Sequence, residues 1–421
     1  MRTGCGVPQD PVTIQWRVRV RKGKGYVRET FTLAFLSMTV IASVSLGQAA
    51  ENLLAARNPG FEKLTADLAE DGVRLKHGGI AYTNLPGWGL QVHSGEAKVN
   101  GDTKIAVEGE NCLKFEILTE GKRTEVAISA DVHNLKPNTI YELSAMIRPY
   151  GIDWVNSYFR FYEHDDERMV DSKHRRLINA STLPKFKRFS RRFVTHRNTT
   201  RGSLSIYWTG NRQRKGIITK KCMVWMDDIR LVEIGPALPL AVNLREGFEK
   251  DLSGWLIAEP GDGDDNNPKL SDEKAHSGKR SLKLSGTWGK VERIFSEEVT
   301  DSDVIIWFYD QPQKHSNSRM IMVEADHMRV GIGVKHKSQT NYTTYIEGDP
   351  RLIEITDIKR TTGWHEFRWA FSRGNGVTLY IDRKKVASSG RQDYFHSISL
   401  GCNGWQGFTC YLDDLMIVRK R

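Results

Sequence analysis

The chain carries two doubled aspartates where a carboxylate is costly unless something compensates it. They lie inside apolar runs: Trp225-Met226-Asp227-Asp228-Ile229-Arg230-Leu231 and Tyr411-Leu412-Asp413-Asp414-Leu415-Met416-Ile417. Strict alternation would place Asp227 on one face with Trp225, Ile229 and Leu231, and Asp413 with Leu415 and Ile417. A carboxylate at the edge of a core needs hydrogen-bond donors, a cation or a metal. Calcium suits such a place, being a hard ion that takes six to eight oxygen ligands; capping a turn or pairing with Arg and Lys are the alternatives. Either role is structural. A second acidic segment puts Asp262, Asp264, Asn266 and Glu273 at the first, third, fifth and twelfth places of a calcium loop. Asn267 stands where that loop needs Gly and Pro268 follows, so the segment reads as a solvated acidic loop.

Catalytic chemistry finds no comparable foothold, and no catalytic residue is assigned. Glycoside hydrolysis needs two carboxylates roughly 5 to 10 Å apart, but Glu354-Ile355-Thr356-Asp357 has the wrong parity for such a pair. Glu297-Glu298 and Asp165-Asp166-Glu167 read as surface loops. Nucleophile and zinc-protease motifs are missing. Sugar binding asks for less: an exposed ring against the apolar face of a pyranose, with polar groups at its rim. Trp154 and Tyr158 lie in a glycine- and Asn-containing segment, Tyr150 to Tyr158; Tyr207 and Trp208 stand beside Gly210-Asn211-Arg212; Trp405 occupies the turn Asn403-Gly404-Trp405-Gln406-Gly407. Trp154, Tyr158, Tyr207, Trp208, Arg212 and Trp405 are the candidate ligand residues, whereas Trp88 reads as a core plug.

Charge adds a second cue. Residues 172–202 hold ten Lys and Arg and no acid, interrupted by Phe186, Phe189 and Phe193. A strand with an apolar side and a cationic, solvent-facing side would fit, and it would attract sulfated or carboxylated polysaccharide; a plain solvated face is the alternative. Nucleic acid is a poor partner, since no nucleic-acid-binding motif occurs.

The first fifty residues differ from the rest. A basic stretch, Arg17 to Arg28, precedes an uncharged apolar run of 16 residues, Phe31 to Leu46, which ends in Gly47-Gln48-Ala49-Ala50. That order predicts a secretory signal over 1–50, too short for a spanning helix. The protein is therefore expected to be secreted, periplasmic or on the cell surface, with no membrane span after cleavage. Export permits disulfides among Cys112, Cys222, Cys402 and Cys410. Cys402 and Cys410 flank a turn, and Cys112 with Cys222 would join an early to a late strand; buried thiols are the alternative.

Short alternating apolar runs separated by Gly, Asn, Asp and Pro fill the mature chain, so the expected fold is all-β. The chain also repeats itself. Asn58-Pro59-Gly60-Phe61-Glu62 opens one half and Glu246-Gly247-Phe248-Glu249 the other, each followed by a Trp, then by Cys112-Leu113-Lys114-Phe115 or Ser281-Leu282-Lys283-Leu284, and each half closes on its doubled aspartate. Two tandem antiparallel β-sandwich (jelly-roll) domains are predicted, over 51–235 and 246–421, joined by the Pro-containing linker 236–245.

On these motifs, together with Leu135-Lys136-Pro137-Asn138-Thr139-Ile140-Tyr141, the first half resembles carbohydrate-binding modules of the family 4 and 9 type. The second half, with Gly363-Trp364-His365-Glu366-Phe367 and Val377-Thr378-Leu379-Tyr380-Ile381-Asp382, resembles laminin-G and concanavalin-like jelly rolls. The resemblance implies a structural calcium between first and last strands, held by Glu62 with Asp227 and by Glu249 with Asp413. It also places Trp364 and Trp369 at core positions. The function expected is non-catalytic binding of a polysaccharide or glycoconjugate, with acidic polysaccharides favoured by the basic run. A lyase or hydrolase on a jelly-roll fold, or a structural or adhesion protein without a sugar ligand, are the other readings.

Overall fold

The structure is a computed structural model that describes residues 21–22, 25–26, 51–65, 68, 72–76, 82–118, 124–153, 156–210, 222–237, 243–259, 267–285, 289–312, 318–325, 328–335, 340–347, 352–401 and 408–420. The chain divides into two compact units, Met1–Gln48 and Ala49–Arg421. In the first, Arg21–Lys22 pairs antiparallel with Gly25–Tyr26; the apolar run 31–46 lies outside the described residues. No helix of the described residues is long and apolar enough to cross a membrane.

The second unit is built of four antiparallel sheets. One six-stranded sheet runs Met169–Arg176, Tyr158–His164, Arg201–Gly210, Thr124–Val132, Trp88–Ser94, Tyr82–Leu85; its companion runs Lys187–Val194, Thr139–Tyr150, Cys222–Pro236, Cys112–Ile117, Glu96–Asp102, Val73–Lys76. An eight-stranded sheet runs Lys269–Ser271, Ser281–Leu284, Cys410–Arg419, Ser302–Asp310, Gly363–Ser372, Gly376–Ile381, Lys384–Ser389, with Asn243–Glu246 also paired to Cys410–Arg419. A seven-stranded sheet, Leu256–Glu259, Lys290–Val299, Phe395–Gly401, Arg319–Ala325, Met328–Val334, Asn341–Ile346, Leu352–Lys359, completes the set. The expected all-β, jelly-roll class is the observed one.

Alternation explains the layering. Along Ser302–Asp310 every second residue, Val304, Ile306 and Phe308 among them, is buried, and the residues between are half-buried on the other face. Two separate apolar cores result, one drawing on residues from Leu54 to Leu231 and one on residues from Phe248 to Ile417. Each core is plugged by the same pair: Phe61 against Trp88 at 6.0 Å, and Phe248 against Trp255 at 5.7 Å between ring centroids. Inside the second core the fully buried carboxylate of Asp310 accepts two 2.7 Å bonds from Arg360. The bidentate geometry offsets the desolvation of both charges.

Both terminal strands depart from strict alternation at the doubled aspartate. Val224 and Met226 belong to the core before it, Ile229 and Leu231 after it. In the other sandwich Cys410 and Leu412 precede the slip, and Leu415 and Ile417 follow it. Pairing skips between Asp227 and Arg230, and again where Asp413 and Met416 face Trp307 and Ile305. Asp228 and Asp414 take left-handed φ values of 43° and 47°, so each pair is a β-bulge that moves the side-chain period by one residue. The expectation that Trp225 and Asp227 share the core face is thereby corrected. The expected Cys112–Cys222 bridge is corrected as well: both thiols are buried and unbridged to each other. On the paired strands Cys222 faces Ile117, five residues and roughly 17 Å from Cys112, well beyond bridging reach. Cys410 is buried, and its proposed partner Cys402 lies outside the described residues.

Candidate functional site

The repeated termini build the same cradle twice. In the first sandwich Asp227 Oδ2 accepts bonds from the amides of Val107 (2.8 Å) and Glu108 (3.1 Å), Oδ1 accepts from Asp228 N (2.7 Å), and Glu62 Oε2 accepts from Glu110 N (2.9 Å). In the second, Asp413 Oδ2 accepts from His276 N (2.8 Å) and Ser277 N (3.2 Å), Oδ1 from Asp414 N (2.8 Å), and Glu249 Oε1 from Lys279 N (2.8 Å) and Arg280 N (3.0 Å). In both, a left-handed glycine, Gly109 or Gly278, sits so close to the glutamate that an added Cβ would fall 2.2 or 2.1 Å from its Oε1. Phe61 and Phe248, at φ 59° and 53°, turn the chain so that the following glutamate enters the cradle. Burial pushes the Asp227 carboxyl above its ordinary pKa, and its proximity to Glu62 adds to the rise; burial does the same to Asp413. Glu62 with Asp227, and Glu249 with Asp413, are thus brought together around one loop each. Two carboxylates per cradle fit a calcium site only with carbonyl oxygens as further ligands, and no cluster of three His, Cys, Asp or Glu occurs among the described residues.

The expected ligand residues scatter. Tyr158 and Tyr207 face each other on neighbouring strands and stack at 4.8 Å on the outer side of their sheet, with the Arg160 guanidinium 5.3 and 5.5 Å from the two rings. Their faces are spent on one another, and each ring is less than a tenth exposed. Tyr162, two residues along the same face, accepts a 3.2 Å bond from Arg160. Trp208 corrects the expectation of a platform: it is fully buried, its indole nitrogen donating to Met226 Sδ at 3.1 Å. Trp154, Arg212 and Trp405 lie outside the described residues, as does most of the acidic loop 262–267.

The basic run is not one cationic face. It divides between Met169–Arg176 and Lys187–Val194, which belong to different sheets, and among the described residues acids meet five of its ten cations. Arg188 pairs with Asp228, Arg192 with Glu142 at 2.8 Å, Arg197 with Glu298, and Lys173 with Asp171 and Glu163. Arg175 reaches into the second sandwich and holds Glu292 at 2.6 Å, both side chains nearly buried.

That contact marks a cleft of about 470 Å³ between the edge of the first sandwich and the outer face of the seven-stranded sheet. Lys173, Arg175, Lys290, Glu292, Arg329 and His396 are among its walls. Five Lys or Arg and five Asp or Glu line it, so its charge balances. Burial opposes ionisation of Glu292, but Arg175, Lys290, Lys173 and His396 override it and hold the carboxyl at about 2. Burial opposes the charge of Lys173 too, and Glu163 with Asp171 more than restores it. Arg329 donates to Glu347 Oε2 at 3.0 and 2.8 Å, and Tyr345 donates to the same oxygen. His174, on the rim, packs edge-on against Tyr158 at 4.1 Å. Packing of its ring and the guanidiniums of Arg160, Arg175 and Arg176 lower its pKa to about 4, so it is a neutral hydrogen-bonding group at neutral pH. The sequence reading missed Lys290, Glu292, Arg329 and Glu347. Their one signal is that Lys290 and Glu292 alternate with Val291 and so leave the core.

The sequence matches no protein-family profile and no curated protein. Among solved structures it is similar to the enzymatically active domain of bacteriophage CBA120 tailspike protein 4 (10% identity, 35% of this chain and 19% of that one, TM-score 0.27). It is also similar to the N-terminal CBM22-1–CBM22-2 tandem domain of Paenibacillus barcinonensis Xyn10C (14% identity, 85% and 100%, TM-score 0.25) and to the cellulose-induced protein Cip1 (16%, 42% and 98%, TM-score 0.33). This chain spans about a fifth of the tailspike domain. At these identities and scores the likenesses specify neither a family nor a ligand.

Proposed function

We propose that the protein binds a saccharide in the cleft between its two sandwiches. The observation that carries this reading is the cleft itself: room for a sugar unit or two, walled by ionised side chains whose charges cancel. Such groups make strong hydrogen bonds to hydroxyls while favouring neither anion nor cation. A neutral glycan is therefore the ligand class, in place of the acidic polysaccharide suggested by the basic run, because acids within the fold meet five of the ten cations of that run, Lys173 and Arg175 in the cleft among them. Calcium in the two cradles would have a structural part: compensating the buried carboxylates of Asp227 and Asp413 and fixing the loops that join first and last strands. The order of basic, apolar and small-residue segments at the start of the chain supports export.

The test is a panel of neutral and acidic polysaccharides in affinity electrophoresis with the full chain and Arg329→Ala. Retention by a neutral glycan, weakened about tenfold or more in the variant, is expected. Retention by sulfated or carboxylated glycans alone would overturn the neutral assignment, and no retention by any would overturn the reading.

A further inference from the structure

The outer face of the eight-stranded sheet, on the opposite side of the second sandwich from the cleft, carries a row of aromatic rings at positions where a solvent-facing strand usually shows polar residues. Trp307 and Tyr309 alternate with Ile306 and Phe308 and so point away from the core. Trp364 does likewise on the neighbouring strand, which corrects its expected core position; Trp369 is the core residue there. Tyr411, Tyr309 and Trp364 follow one another at centroid distances of 5.9 and 5.3 Å. His276 then stands 5.5 Å from Trp364 and stacks on Trp307 at 3.9 Å. From Tyr411 to His276 the intervals are comparable to the length of one pyranose unit and successive rings are turned by 71° to 81°, whereas His276 and Trp307 lie nearly parallel at 15°.

We infer that this row is a second glycan platform, separate from the cleft, on which an extended saccharide lies with its apolar ring faces against Tyr309 and Trp364, while His276 covers one face of Trp307 and fixes that end of the row. Three observations select a saccharide over another occupant. The rings are interleaved with hydrogen-bonding groups rather than with aliphatic side chains: the Lys274 ammonium lies 5.4 Å from Tyr309, that of Lys283 lies 5.7 Å from Tyr411, and Tyr411 donates to Glu273. An aromatic body with a polar rim is the composition a sugar asks for. The row is rigid, because His276 is locked on both sides: its amide donates to Asp413, and its Nδ1 lies 2.6 Å from Asp414 Oδ2. The ordering cost on binding is correspondingly small. Finally, the fold does not require it. At the equivalent place in the first sandwich Trp225 donates to Asp102 at 2.9 Å, and among the described residues no ring contact links it to another aromatic side chain. The same repeat opens into four aromatic side chains in one half only.

Two platforms on opposite faces would let one molecule hold two glycan chains. The experiment uses the full chain with soluble xylan, β-1,3-glucan and β-1,4-galactan, and microcrystalline cellulose as probes. It compares the parent with Trp364→Ala, Tyr309→Ala and Arg329→Ala by titration and tryptophan fluorescence, after checking that each variant melts within a few degrees of the parent. Expected are two binding events in the parent, with Trp364→Ala and Tyr309→Ala each weakening one about tenfold. Arg329→Ala should leave that event, and its fluorescence change, in place. If both ring variants bind every probe with parental stoichiometry and affinity, the platform does not exist. If either instead dissociates a dimer, the occupant is a second copy of the chain and the inference is wrong. Loss of the cleft event alone in Arg329→Ala keeps the two sites distinguishable, and survival of the ring-dependent event without it would uphold this platform while overturning the cleft.

Discussion

Asp310 and Arg360 are both completely buried, and each satisfies the other through two bonds. Removing one partner strands a charge in an apolar core. Asp310→Ala is expected to cost about 3 to 5 kcal/mol, measured by denaturant unfolding; a loss below about 1 kcal/mol would show that the pair is solvated. Cys112 makes a quieter prediction. Burial and the carboxylates of Asp102, Asp227 and Glu62 push its thiol up to about 12, so the thiolate that alkylating agents attack is scarce at neutral pH. Mass spectrometry should find Cys112 unmodified by iodoacetamide in the native protein and modified once urea is added. At this scale the sequence was a fair guide to identity and a poor one to role. Glu62, Asp227, Glu249 and Asp413 could be named because a carboxylate among apolar neighbours is conspicuous. Trp208 and Trp364 exchanged expected places, because a ring's burial depends on which way its strand faces and not on the polarity of the nearest loop.

The cradles belong to the scale of strands and loops. Gly278 lies at φ 64° with Glu249 Oε1 where a Cβ would be, whereas Gly374 lies at φ 72° with nothing near. Both alanine variants bear the left-handed penalty of roughly 1 to 2 kcal/mol, but only Gly278→Ala also dislodges the glutamate. Gly278→Ala should therefore melt well below Gly374→Ala, and equal melting temperatures would mean the glutamate is not held by the loop. Calcium enters with a definite sign. Asp227 and Asp413 have pKa values raised in the fold by burial, so their ionised forms destabilise it unless a cation compensates. Added calcium should raise the melting temperature at pH 7, and the gain should fade as the pH falls through the raised values and the carboxylates protonate. A melting temperature indifferent to both calcium and chelator would remove the ions. The repeat that revealed these elements was visible in the chain; the bulge within it was not. Alternation is a rule of period two, and nothing in Asp-Asp announces that the period will slip by one there.

The two sandwiches meet through Arg175 and Glu292, and the joint is expected to be sensitive to acid. The Glu292 carboxyl titrates at about 2 in the fold against an ordinary value of 4.5. Because the folded value is the lower, its contribution is complete above pH 4.5 and is lost as the pH falls towards 2. The amount is about 3 kcal/mol. Stability measured at pH 5 and at pH 2.5 should differ less in Glu292→Gln than in the parent, and identical pH dependence would show that the pair contributes nothing. Composition, periodicity and an internal repeat determined that this chain is all-β, that it opens and closes each half alike, and that acids sit at both junctions, because those features depend on residues near one another in sequence or on a regular period. Only the tertiary structure decided that acids would meet half the cations of the basic stretch, that a charge-balanced cleft would open between the sandwiches, and that four aromatic side chains from separate segments would line one face. These joins bring together residues tens of positions apart, and more than a hundred for Arg175 with Glu292 and Tyr309 with Tyr411, and the interaction of distant charges and rings depends on distance in space, which the order of residues along a chain does not encode.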